Sequence, residues 1–200
     1  MSSSRQRGDK EDNDRRSGDG ASLRLLYTNA DGLAVAATVW IRHQIILDFC
    51  NKNLTKKNLP SLSRIAMYIG FAASLGPSIV GNFQSSNVGS VHGIGAFLAF
   101  GVGGVYMWFQ AVMSYHLEPY VNSRAVSILR VLFSIIASCM SILTIVFSTL
   151  HSIANDDVVY WATGPWWMFK REKWAYHIMA SATEWILAAS FSALLLTLVP

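Results

Sequence analysis

Glu184 is the one acid well inside an apolar segment of this chain, and two histidines accompany it. Along the last apolar segment His177, Ser181, Glu184, Ala188 and Ser192 fall on one helical face. Along an earlier one His92, Ala96, Ala99, Gly103, Tyr106 and Gln110 do the same. A desolvated carboxyl near histidines could form an acid/base pair or a proton relay. His92 and His177 with a third ligand could hold a metal. Both histidines stand toward the same ends of their helices and could face each other. Glu184 lies two helical turns from His177, about 10 Å at the rise of an α-helix. Its candidate partners are Tyr106, Gln110 and a serine stripe at Ser127, Ser134, Ser138, Ser141 and Ser148. The competing reading is a polar knot that fixes helix register. No spacing is diagnostic of a metal and no nucleophile motif occurs, so no catalytic residue, metal ligand or cofactor is assigned.

The elements that carry these residues are membrane spans. The chain has 200 residues, 52% hydrophobic and 14% charged. From Ile65 to Leu117 there is no Asp, Glu, Lys or Arg. A soluble core of that length would need a charged outer face, whereas a helix in lipid needs none. The fold class is therefore all-α, a polytopic membrane helix bundle. Spans are expected at about 65–83, 91–115, 125–150 and 174–199. A fifth segment, about 25–49, holds Asn29, Asp31 and Arg42. It either crosses, with Asp31 near one interface and Arg42 near the other, or lies along the interface.

The connections follow from the spans. Residues 1–22 are polar and of mixed charge, and read as a disordered tail. Lys52, Lys56, Lys57 and Arg64 mark a basic loop, placed in the cytosol by the positive-inside rule. Gln84–Ser90 is then a short lumenal hairpin, with Asn82 and Gln84 as helix-end or turn residues. His151–Lys173, rich in tryptophan and charge, reads as a lumenal connection along the membrane surface. Pro77 lies in the second half of the 65–83 span and should kink it, with neighbouring helices or Ser74 and Ser78 helping to satisfy the freed carbonyl. Gly95, Ala99 and Gly103 form a ladder of small residues suited to close helix approach. The net charge of +4 is spread between a balanced tail and the connections, so no nucleic-acid partner is indicated. Membrane lipid is the expected partner, and any protein partner is open. Neither Cys50 nor Cys139 suggests a disulfide framework.

Several short motifs together carry a resemblance. Ser78-Ile79-Val80-Gly81-Asn82-Phe83-Gln84 is followed by His92 opening a helix, then by a Gly-rich run through Tyr106, Gln110, Ser114 and Tyr115. Val39-Trp40-Ile41-Arg42, Arg130, and the His177 to Glu184-Trp185 stretch complete the pattern. These resemble the damage-regulated autophagy modulator (DRAM) family, within the wider Frag/DRAM/Sfk group. The resemblance implies six helices with both termini cytosolic, and a role in autophagy at lysosomal or endosomal membranes. This chain departs from it in lacking a first apolar helix. Relatives outside the DRAM branch imply an alternative, a plasma-membrane scaffold for phosphoinositide-kinase recruitment. A transporter or lipid-modifying enzyme built on Glu184, His92 and His177 is a third reading. The resemblance carries no catalytic residues across.

Overall fold

The computed structural model describes residues 29–52, 58–83, 88–156 and 166–199. Five helices account for nearly all of them: α1 (Asn29–Lys52), α2 (Leu59–Asn82), α3 (Gly89–His116), α4 (Arg124–Asp156) and α5 (Trp166–Leu198). No strand occurs among the described residues. Each helix is long and apolar enough to cross a membrane. Of the segment left open by the sequence, 25–49, residues 29–49 belong to one of them, the continuous helix α1, and 25–28 lie outside the described residues. Its Asp31 lies exposed near the start. Its Arg42 is buried among the helices, 2% exposed.

The helices are longer than hydropathy alone indicates. Helix α2 starts at Leu59 rather than Ile65, with Pro60 in its first turn, where a missing N–H costs nothing. Part of the expected basic loop is thus helical. Helix α4 runs on to Asp156 and α5 begins at Trp166, so both ends of the expected 151–173 surface connection are helix. A helix can extend past its apolar stretch because its backbone bonds are internal. The tail at 1–22 and the hairpin residue Gln84 lie outside the described residues.

Helix α3 is the centre. Of its span 39% is buried, against 11% for α4, which lies at the edge. It meets α2 through small residues. A Cβ added at Gly76 would stand 2.6 Å from the Cα of Ala99, and one at Gly95 would stand 2.7 Å from Ile79 Cγ2. The ladder therefore works as the sequence indicates, with Gly103 set against Phe191 of α5. At this contact, Phe97–Val102, the backbone of α3 widens into a π-helical turn. Helix α2 carries Pro77 without breaking. The Ser74 hydroxyl donates to the Phe71 carbonyl at 2.8 Å, and so does not serve the carbonyl that Pro77 frees.

The core combines Met107, Met113, Leu117, Ala137, Leu187 and Leu194. Large apolar side chains also cover the outside, among them Tyr68, Phe97, Ile145, Trp185 and Leu196. That inversion of the soluble pattern fits an apolar solvent.

Candidate functional site, a pair of buried arginines

The antiparallel course of the helices brings the C-terminal ends of α1, α3 and α5 together with the start of α4. Two arginines are buried there. Arg130 lies in the second turn of α4 and Arg42 ten residues before the end of α1; each is 2% exposed. A buried guanidinium must be hydrogen-bonded, because the desolvation cost of an unpaired ion is several kcal/mol. Arg42 donates from Nε to Gln110 Oε1 at 3.3 Å and from Nη2 to Asn122 Oδ1 at 3.2 Å. Arg130 donates from Nε to Thr197 Oγ1 at 3.0 Å, and from Nη1 to Ser114 Oγ at 2.6 Å and Asn122 Oδ1 at 3.1 Å. Its Nη2 donates to the Thr197 carbonyl. Asn122 is the hinge of the network: its oxygen accepts from both arginines, and its Nδ2 donates to the Ser114 carbonyl at 3.1 Å.

Local sequence explains why these residues converge. Gln110 and Ser114 are four apart on α3, so they share a face, and the Ser114 hydroxyl donates to the Gln110 carbonyl at 2.6 Å. After His116 the chain turns back, and Asn122 comes to lie under Ser114. Tyr106, one turn before Gln110, is 2% exposed. Its hydroxyl lies beside Gln110 and both guanidiniums without reaching hydrogen-bond geometry. Among the described residues no carboxylate pairs with either arginine. Next to the network, His43 Nδ1 and Ser63 Oγ bond at 2.8 Å, tying α1 to α2.

The polar residues singled out by the sequence do not form one site. Tyr106 and Gln110 join the arginines rather than Glu184. His92 bonds the Phe83 carbonyl at 2.8 Å and so closes the end of α2. His177 stacks against His151 of α4, ring centroids 5.2 Å apart, and does not face His92. Glu184 is half-buried and makes no hydrogen bond among the described residues. Within the serine stripe, Ser134 and Ser138 each donate to their own helix four residues back, at 2.8 Å, while the buried Ser127 hydroxyl finds no partner among the described residues. Neighbouring Thr183 takes the interhelical role instead, in a 2.9 Å bond with Thr144. No cluster of metal-ligating groups occurs among the described residues.

The motif residues divide in the same way. Ser114 is fully buried in the arginine network. Asn82 donates to the Ser78 carbonyl at 2.7 Å and reaches Asn29 at 3.4 Å, and Ser78 packs where Gly32 leaves room. Phe83, Tyr115 and Trp185 point outward. Sequence reasoning missed Arg42, Asn122 and Thr197 as site members and met Arg130 only as part of the family pattern. A signal existed, since an arginine inside an apolar span demands acceptors.

Comparison with known proteins agrees with this architecture. Residues 27–200 match the family described as the Frag1/DRAM/Sfk1/Cwh43P N-terminal domain. The DNA damage-regulated autophagy modulator protein 2 of Bos taurus is 28% identical over 171 residues, which cover 84% of this chain and 62% of that protein. The DNA damage-regulated autophagy modulator protein 1 of Homo sapiens is 30% identical over 165 residues, covering 82% and 64%. The modulator of macroautophagy TMEM150B of Xenopus tropicalis is 34% identical over 100 residues, covering 50% and 44%. The chain thus spans less than two thirds of the length of these relatives. No solved structure matches it.

Proposed function

Since the chain belongs to the Frag1/DRAM/Sfk1/Cwh43P family, we propose that it modulates autophagy from within a lysosomal or endosomal membrane, binding a protein or lipid partner rather than catalysing a reaction. The observation that carries this reading is its likeness, over more than four fifths of its length, to proteins named as autophagy modulators. The geometry supports a binding role. The two buried arginines are held by shared neutral acceptors at one end of the bundle, and the histidines an enzyme or transporter would use are bonded or packed elsewhere. The arginine end of the bundle carries Lys52, Arg64 and Arg124, so we place it on the cytosolic side.

Organelle fractionation of the untagged chain, followed by starvation-induced autophagic flux with and without it, tests the reading. Enrichment with lysosomal markers and a change in flux are the expected results. Enrichment at the cell surface with unchanged flux would overturn it and favour a plasma-membrane scaffold.

A further inference from the structure

Beside the two arginines the bundle opens. A cavity of about 190 Å³ is lined by Arg42, Arg130, Asn122, Ser123, Val126 and Thr197 among others. Its wall is formed by the end of α1, the α3–α4 connection, the start of α4 and the end of α5. Two guanidiniums line one cavity and share one acceptor, Asn122 Oδ1, with no carboxylate paired to either among the described residues. Like charges held this close in a desolvated place repel, and neutral acceptors do not cancel that repulsion. Donors also remain. A guanidinium carries five N–H groups, and Arg42 commits only Nε and Nη2 to the protein. The remaining wall is apolar or hydroxylic. A compact oxyanion would supply the missing negative charge and accept the free N–H groups, and tetrahedral phosphate matches the guanidinium fork.

We propose that this cavity binds a phosphate group, presented by a lipid headgroup or by a soluble phosphate ester. The cavity has room for the phosphate and the first atoms of its substituent. Its depth suits the headgroup boundary: Arg130 lies about 9 Å into α4 from Arg124. This inference deepens the binding role proposed above and rests on it only for the lipid source.

The test uses the full chain in maltoside detergent micelles, which carry no phosphate of their own. One arm titrates inorganic phosphate and a soluble inositol phosphate by calorimetry. The other adds phosphatidylinositol 4-phosphate to the micelles and reads retained lipid by native mass spectrometry. Retention of that lipid over diacylglycerol, which has no phosphate, assigns the headgroup, and binding in the soluble arm assigns the free ester. Binding in neither arm overturns the proposal. Two variants report whether binding is at this cavity. Arg42→Gln removes donors, and it could also loosen the bundle. Ser123→Asp keeps the hydroxyl's place as a cap on Val126 N, 3.4 Å away, and sets a negative charge on the cavity wall. It should stay folded and weaken binding roughly tenfold or more. Unchanged binding by Ser123→Asp would also sink the proposal. Because the readout is binding alone, a failed flux assay leaves this result standing, and failed binding leaves the flux result standing.

Discussion

The two ends of the bundle are held by opposite means. At the end where α2 gives way to α3, backbones touch: Gly76 lies on Ala99, Gly95 on Ile79 and Gly32 on Ser74 and Ser78. At the other end the helices stand apart around side chains, and two guanidiniums reach across from α1 and α4 to α3, α5 and the α3–α4 connection. Lipid gives no hydrophobic drive between helices, so association must come from close packing or from polar contacts. This protein uses one device at each end. The glycine end is packed with backbone against backbone and side chain. The arginine end is open and charged, which is why the candidate site lies there.

The comparison can be broken most severely at the arginine end. Arg130→Met should strip Ser114, Asn122 and Thr197 of their shared donor, while Arg42 keeps its bonds to Gln110 and Asn122; the acceptors left unsatisfied should cost on the order of 3 kcal/mol in all. A large fall in folded yield and melting temperature in detergent is the expected outcome. A melting curve like the parent's would mean that the network contributes little to stability.

Gly76→Ala should be the next largest effect. The new Cβ would lie 2.7 Å from Ala99 Cβ and closer still to the Ala99 backbone, which cannot rotate aside as a side chain can. Helices α2 and α3 must then separate, costing roughly 1–3 kcal/mol. The melting temperature would register this, and no loss at all would show that the glycine end is loose.

Gly104→Ala sharpens the contrast with the same substitution on the same pair of residue types. Nothing lies within 4 Å of a Cβ there. Alanine should therefore stabilise α3 slightly, by about 0.5–1 kcal/mol, through helix propensity alone. A destabilisation would place an unrecognised contact at that face.

Glu184→Gln should have the smallest effect. The side chain makes no hydrogen bond among the described residues, so its loss of ionisation should leave melting and autophagic flux within error of the parent, under about 0.5 kcal/mol in stability. A folded variant with no activity would restore a proton-linked role for this acid.

Much of the architecture was legible in the residues. The uncharged stretch from Ile65 to Leu117 defines two spans by itself, and the Gly95–Ala99–Gly103 ladder marks a face for close helix approach, which the structure fills with α2 at Gly95 and Ala99 and with Phe191 of α5 at Gly103. Tyr106, Gln110 and Ser114 stood out through their shared helical face and the motif they complete. Their partners did not. Arg42 and Gln110 are separated by 68 residues, and Arg130 and Thr197 by 67. Periodicity reports which face of one helix is polar, and it is silent on which face of another helix meets it. For that reason Glu184 and His177 looked like company for His92, while the structure ties each histidine to a near neighbour instead.

What the sequence determined by itself was the solvent and the element: long uncharged apolar runs leave a chain no stable state but helices in lipid, because every backbone group must then be bonded internally. It also determined the family, through short motifs spread over most of the chain. Only the tertiary structure decided which polar groups share a site. That choice depends on helix rotation and on the turn after His116 that returns Asn122 to Ser114. Small rotations of a helix move a side chain from one neighbour to another with little change in the apolar surface. Two buried guanidiniums needing acceptors are what fix the rotation here.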